Sequence, residues 1–87
     1  MLIYIMSNRD DEIIRTNIMR ALCENQRNNI NLAELNLDEV IRPGEAIGAF
    51  ERGYAASRLE ILQNEFGFFT FNDPIIRLTQ RGRQNCS

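Results

Sequence analysis

The stretch FGFFTFNDPIIRLTQRGR, residues 66–83, decides the fold of this chain. Gly67 suits the left-handed residue that ends a helix, and the aromatic and β-branched run Phe68–Phe71 is typical of a strand. Asn72–Pro74 has the composition of a tight turn, after which Ile75–Thr79 alternates like a second strand. The stretch therefore predicts a helix end, a small β-hairpin and a short basic C-terminal cap.

The residues before this hairpin predict two helices rather than one. At 100° per residue, the apolar side chains of residues 46–54 point about 130° away from those of residues 55–66, so one straight helix cannot bury both sets. Gly53, a poor helix-interior residue, lies at the change of phase, and Ser57–Glu60 has a capping-box pattern. With Pro43 in the first turn of the earlier helix, the pattern predicts a helix-turn-helix whose turn is at Gly53.

The N-terminal part of the chain predicts a first helix over residues 8–24. Ser7–Asp10 has the form of a capping box with Asp in the reciprocal place, so a helix is expected to start there. The apolar residues 1–6 predict a strand or arm that packs beside the hairpin or pairs with a second copy of the chain. Residues 30–41 fit a strand and a short helix equally well, and both alternatives stay open.

Length and composition indicate one small globular domain. The chain has 87 residues, of which 44% are hydrophobic and 25% charged, so we assign residues 1–87 to a single domain that ends in a short tail at 84–87. The apolar stripes of the predicted elements define its core. The side chains expected to be buried together are Ile14, Ile18, Leu22, Phe50, Leu59, Leu62, Phe66 and Leu78.

The chain lacks the residue patterns of an enzyme or a metal protein. It has no histidine, no glycine-rich phosphate loop and only two cysteines. Cys23 is interpreted as a small buried side chain and Cys86 as an exposed thiol. We therefore predict no catalytic residue, no metal site and no cofactor. No apolar run is long enough to cross a bilayer, so we expect no membrane contact and a cytoplasmic location.

The basic residues of the chain are all arginine. Ten arginines are balanced by twelve acidic residues, which gives a net charge of −2. The planar guanidinium binds phosphate bidentately, so the set is compatible with nucleic-acid contact. The net negative charge argues against strong non-specific DNA affinity, and any role in DNA binding must depend on local charge.

The C-terminal residues Ile76–Arg83 resemble the "hydrophobic-x-Leu-Thr-x-x-Gly-Arg" ending of winged helix-turn-helix domains. Leu59 and Leu62, followed by Gly67–Phe68, look like the end of the recognition helix of such a domain running into its wing. The resemblance covers residues 46–83 together with the first helix. It implies an α+β winged-helix fold with three helices and a C-terminal two-stranded wing.

The resemblance also implies two alternative functions. In many winged-helix domains the third helix enters the DNA major groove and the wing contacts the backbone, which favours a small transcriptional regulator that binds duplex DNA as a homodimer. Other members bind proteins, and the acidic pI of the chain and Asp73 at the wing tip favour such a protein–protein interaction module. The candidate DNA contacts are Gln63 and Asn64 to bases, Arg58 to guanine or phosphate, and Arg77, Arg81 and Arg83 to phosphates.

Overall fold

The chain forms a small α+β fold. The computed structural model describes the backbone of residues 2–28 and 33–86, and within those ranges the side chains from residue 9 onward. Four helices and three strands lie in the described ranges, in the order α1 Leu2–Asn28, β1 Glu34–Asn36, α2 Leu37–Val40, α3 Arg52–Phe66, β2 Phe69–Asn72, β3 Ile75–Leu78 and α4 Gln80–Gln84. The α+β class is confirmed, but the prediction of three helices and two strands was too simple.

The β-hairpin predicted from residues 66–83 is present. Gly67 ends α3 with φ 70° and ψ 22°, the left-handed conformation that glycine adopts without steric cost. Strands β2 and β3 pair antiparallel, and Asp73–Pro74 forms the turn between them, with a cis peptide bond. Ile76 is buried on the inner face of the sheet. Strand β3 also pairs with β1, so the sheet has the antiparallel order β1-β3-β2.

Helix α1 starts earlier than predicted. Its backbone is helical from Leu2, so the strand or arm predicted for residues 1–6 is wrong for residues 2–6, and Met1 lies outside the described residues. The expected helix start at Ser7–Asp10 is also wrong. The capping-box pattern Ser7–Asp10 lies inside α1, and the Asp10 carboxylate accepts a hydrogen bond from Tyr54 of α3. A homodimer stays a prediction, because residues 2–6 form no strand that could pair with a second copy.

The ambiguous segment 30–41 contains both of the structures that its sequence allowed. Strand β1 is followed at once by helix α2, and Asn36 joins them because its side chain accepts a hydrogen bond of 2.9 Å from the Asp38 amide. A side-chain acceptor at this position satisfies an amide that has no partner within the helix. Residues 30–32 lie outside the described residues, so the structure bears only on the rest of the segment.

The helix predicted from Pro43 does not form. Residues 41–51 are irregular, because Gly44 and Gly48 have φ values of 84° and 97°, which no right-handed helix contains. Ile47 anchors the segment: its side chain is 2% exposed and its amide bonds the Val40 carbonyl oxygen at 2.9 Å. The change of phase in the apolar pattern therefore marks a loop entering a helix rather than a turn between two helices.

Gly53 and Ser57 lie inside helix α3 rather than at its boundaries. The helix begins at Arg52 and is capped by Glu51, whose carboxylate accepts a 2.8 Å hydrogen bond from the Tyr54 amide. Gly53 has no positive φ, so the predicted turn at this residue is wrong. The Ser57 hydroxyl donates to the Tyr54 carbonyl oxygen within the same helix, which replaces its predicted capping role.

The core joins α1, α3 and one face of the sheet. Its buried apolar side chains are Ile14, Ile18, Leu22, Ala33, Leu37, Val40, Ile47, Ala55, Leu59, Leu62, Phe69, Phe71, Ile76 and Leu78. The core prediction holds for all its members except two. Phe50 is half-buried, and Phe66 is 42% exposed because it lies in the last turn of α3.

Thr79 connects the hairpin to helix α4, which the sequence analysis did not predict. Its hydroxyl donates to the Gly67 carbonyl oxygen at 2.6 Å and accepts from the Gly82 amide at 3.0 Å. Its own amide donates to the Phe68 carbonyl oxygen at 3.0 Å. One residue therefore caps α4 and fastens it to the end of α3. Gln84, assigned to the tail from the sequence, belongs to α4.

Gly82 lets α4 pack against the backbone that leads into β2. A β-carbon at this position would overlap the Phe68 carbonyl group and the Leu78 side chain. The Leu-Thr-x-x-Gly part of the C-terminal motif thus has a structural explanation. Leu78 is in the core, Thr79 caps α4, and the absence of a side chain at Gly82 permits close contact.

Cys23 and Cys86 form a disulfide between α1 and the residues after α4. Their Cα atoms are 5.5 Å apart although 63 residues separate them in sequence. The interpretation of Cys23 as a buried hydrophobic side chain and of Cys86 as a free thiol was therefore wrong. Nothing in the spacing of two distant cysteines indicates pairing. In the chain-entropy model, a loop of this length stabilises the fold by about 4 kcal/mol.

We predict that Gly82→Ala lowers the free energy of unfolding by about 3 kcal/mol, because the added methyl group has no space beside Phe68. Urea denaturation followed by circular dichroism measures this change. Gly53→Ala is the matched control, since a β-carbon there meets only the Glu51 carboxylate at 3.4 Å, and we expect a change below about 1 kcal/mol. Equal effects of the two substitutions would contradict the packing described for Gly82.

Candidate interaction surface

Arg58, predicted to contact DNA, is held inside the fold by Asp11. The guanidinium Nε lies 2.7 Å from Asp11 Oδ1, and Nη2 bonds the second carboxylate oxygen. The exposed side-chain fractions are 23% for Arg58 and 11% for Asp11, so the bidentate pair is largely shielded from water. The hydrogen bonds that Arg58 donates to Asp11 raise the pKa of Arg58 above its ordinary value.

Gln63 and Arg77 also have partners within the chain. The Gln63 side-chain oxygen accepts a 2.9 Å hydrogen bond from the Phe71 amide, which ties α3 to strand β2. The Arg77 guanidinium bonds Glu34 Oε2 at 2.6 Å across the β1–β3 pair. The Arg77 side chain is 61% exposed, so this pair contributes little to stability.

The other three predicted DNA contacts are exposed but do not form one group. Asn64 is on α3, where its amide lies 3.4 Å from the Glu60 carbonyl oxygen. The Arg81 side chain passes beside Gly67. Arg83, two residues further along α4, points to a different side of that helix. The structure therefore does not combine the six predicted residues into a continuous site.

Arg52 fastens the wing tip to the start of α3. Its Nε lies 2.7 Å from Asp38 Oδ1, and its Nη1 and Nη2 lie 2.9 and 2.5 Å from the Asp73 carboxylate oxygens. We call these three residues the wing clamp. No sequence pattern indicates the clamp, because α2, α3 and the hairpin turn each contribute one of its members.

The wing clamp alters the protonation behaviour of its members. Hydrogen bonding to Arg52 lowers the pKa of Asp38 and of Asp73. The hydrogen bonds that Arg52 donates raise its own pKa well above the usual range, and the bond to Asp73 has the larger effect. Both carboxylates therefore stay charged in weak acid, and the clamp has a net charge of −1 at the wing tip.

Two further contacts flank the Asp11–Arg58 pair. The Tyr54 hydroxyl donates a 2.7 Å hydrogen bond to Asp10, which raises the pKa of Tyr54. Arg15 lies 3.4 Å from Glu65, and its guanidinium carbon is 5.1 Å from the centre of the Phe66 ring. These pairs join α1 to α3 on either side of Arg58.

The surface of α3 that faces away from the core is formed by Ser57, Glu60, Ile61 and Asn64, which we call the outer face of α3. All four residues are exposed and follow helical spacing. Ile61 is 49% exposed, the largest value among the exposed large hydrophobic side chains Ile13, Tyr54, Ile61 and Phe66 of the described residues. The outer face of α3 therefore has one large apolar side chain, at the edge nearest Tyr54, together with polar neighbours and one negative charge.

The described ranges contain no metal site and no membrane span. No group of three or more cysteine, aspartate or glutamate residues in these ranges is arranged to hold a metal ion. No helix of residues 2–28 or 33–86 combines the length and the apolar character that a bilayer crossing requires.

Comparisons with protein-family models, with curated proteins and with solved structures found no match to this chain. The functional assignment must therefore be argued from the contacts, exposure and charge of the residues described above.

We predict that the wing clamp is lost in acid. Because Arg52 lowers the folded-state pKa of Asp38 and Asp73, the contribution of the clamp to stability is complete above the unfolded pKa of about 3.9. This contribution is lost as the pH falls through the folded-state pKa values. Carboxyl-carbon NMR titration measures both groups, and Arg52→Gln should return both pKa values toward 3.9. Unchanged titration of Asp73 in this variant would contradict the clamp.

Proposed function

We propose that this chain is a winged-helix domain that binds another protein through the outer face of α3. Helix α3 runs through Gly67 directly into a β-hairpin, and β3 of this hairpin pairs with β1, which follows the first helix. This arrangement supports the winged-helix assignment. The irregular segment 41–51 in place of a second full helix is a departure from the helix-turn-helix pattern.

Exposed Ile61 is the observation that carries this proposal. The exposed part of a large aliphatic side chain is apolar surface in contact with water. A partner that covers this surface gains a free energy of association of about 25 cal/mol per Å² buried. Glu60 lies beside it, and the outer face of α3 has no basic residue. The chemistry that fits is an apolar side chain flanked by basic residues on the partner.

The charge of α3 and the wing favours a protein partner over a DNA backbone at this face. Arg58 and Arg77 are bonded to carboxylates, and the carboxylates of Glu60 and Asp73 would repel phosphates. The positive charge of Arg52 at the wing tip is exceeded by its two aspartate partners. A DNA-reading helix requires local positive charge to displace counterions, which this surface does not supply.

We predict that Ile61→Asp abolishes partner binding while the fold is retained. A photo-crosslinking amino acid at position 57 is introduced into the wild-type chain and the variant, and cross-linked proteins from an extract of the source cells are identified by mass spectrometry. Ile13→Asp is the matched control, because Ile13 is also exposed but lies on α1. We expect one protein to be captured by the wild type and by Ile13→Asp and to be lost with Ile61→Asp. Capture that is indifferent to Ile61 would contradict the proposal.

A small DNA-binding transcriptional regulator is the second proposal, and the exposed Asn64 amide favours it. An asparagine on the outer face of a recognition helix pairs with adenine in the major groove. Asn64→Ala would then weaken binding to a selected duplex by about 1–3 kcal/mol. Selection from a random duplex library followed by fluorescence anisotropy tests this. Failure to enrich any sequence would remove the second proposal.

A further inference from the structure

The disulfide brings three arginines together on the surface. Arg20 and Arg27 lie three residues before and four residues after Cys23 on α1, spacings at which helical side chains are neighbours. Arg83 lies one turn before Cys86, whose amide bonds the Arg83 carbonyl oxygen at 3.1 Å. The two cysteine Cα atoms are 5.5 Å apart, so the disulfide joins the segment that carries Arg83 to the part of α1 between Arg20 and Arg27. We call them the arginine surface.

The arginine surface is available to a ligand. All three members are exposed, and none of them forms an ion pair with a described residue. Glu24 lies next to Cys23 and is also exposed, so the local charge is three positive and one negative, or +2. This contrasts with α3 and the wing tip, where the arginines are bonded to carboxylates.

We propose that the arginine surface binds the phosphate backbone of duplex nucleic acid. Guanidinium groups bind phosphate oxygens bidentately, and fixed cations displace condensed counterions. The large hydrophobic side chains exposed in the described ranges are Ile13, Tyr54, Ile61 and Phe66. Ile13 lies ten residues before Cys23 on α1, and the other three belong to α3 rather than to α1 or α4. The surface thus lacks the apolar centre typical of a protein interface and the apolar anchor of a membrane-binding helix.

The disulfide controls how many arginines the surface contains. Both cysteines are partly exposed, so a dithiol reductant can reach them. One thiolate of the reductant attacks the sulfur of one cysteine and displaces the other cysteine as a thiolate. The second thiolate of the reductant then attacks the mixed disulfide and displaces the first cysteine, so that two electrons pass to the protein. The reductant becomes a cyclic disulfide, while its two protons end on Cys23 and Cys86. Without the bond, α4 keeps its Thr79 and Gly82 contacts, but Arg83 loses the covalent link to the part of α1 that carries Arg20 and Arg27.

This inference is independent of protein binding by the outer face of α3, because the two surfaces share no residue. Each can fail alone. The arginine surface also differs from the DNA-binding alternative on α3, since it recognises phosphates without reading bases.

The test is fluorescence anisotropy with the intact oxidised protein and a short labelled DNA duplex of mixed sequence. With three phosphate contacts, the slope of log affinity against log salt should be about −2.7, which is about a 40-fold loss between 50 and 200 mM salt. The triple variant Arg20→Ala, Arg27→Ala, Arg83→Ala should bring this slope close to zero. It should also weaken binding at 50 mM salt more than tenfold.

Matched controls distinguish binding by the arginine surface from the effect of removing any positive charge. Arg9→Ala removes an exposed arginine from the same helix, about 20 Å from Cys23, and should leave the slope unchanged, whereas Arg20→Ala should reduce its magnitude by about 0.9. Adding a dithiol should weaken wild-type binding to the level of Arg83→Ala, and that variant should lose nothing further on reduction.

Four results would overturn the inference. Absence of duplex binding at low salt, or an unchanged slope in the triple variant, would remove the phosphate site. Binding to vesicles of anionic lipid without binding to the duplex would assign the surface to membranes. Affinity that is indifferent to the dithiol would remove control by the disulfide. The arginine variants leave the disulfide and core intact, so the test of the phosphate site does not depend on how well the reduced protein folds.

Discussion

The ion pair between Asp11 and Arg58 determines how the two main helices of this protein meet. Asp11 is the buried charged residue of the described core, and its carboxylate is occupied on both oxygens by one guanidinium. Removing either partner leaves a shielded charge without its counter-charge, which is costly in a low-dielectric environment. Asp10–Tyr54 and Arg15–Glu65 hold the helices on either side. Because β2 follows α3 after Gly67, this helix contact also orients the hairpin.

The same interaction decides which surfaces remain for function. From the resemblance to winged-helix domains, Arg58 and Gln63 were expected to face DNA. Both side chains instead form hydrogen bonds within the fold. The outer face of α3 is left with the exposed Ile61 side chain and the negative charge of Glu60 beside it. Exposed arginines without a carboxylate partner in the described ranges lie instead on α1, on α4 and, at Arg42, in the irregular segment 41–51. The molecule thus has one surface suited to a protein and another suited to phosphate.

The sequence predicted the hairpin because its determinants are local. A left-handed glycine at Gly67, turn chemistry before Pro74 and alternation around Ile76 each act within a few residues. The start of α1, the pairing of Cys23 and the role of Arg58 depend on partners far along the chain. No spacing rule identifies such partners, so these predictions failed or were missed. At Gly53, a weak helix former lies in a helix that tertiary packing and the Glu51 cap stabilise.

A double-mutant cycle on Asp11 and Arg58 tests the central interaction most directly. Urea denaturation of the wild type, Asp11→Ala, Arg58→Ala and the double variant gives the coupling free energy between the two side chains. The structure predicts a coupling of about 1–2 kcal/mol, with each single substitution nearly as destabilising as both together. A coupling near zero would show that Arg58 is not held by Asp11. It would return Arg58 to the surface of α3 that is open to a ligand.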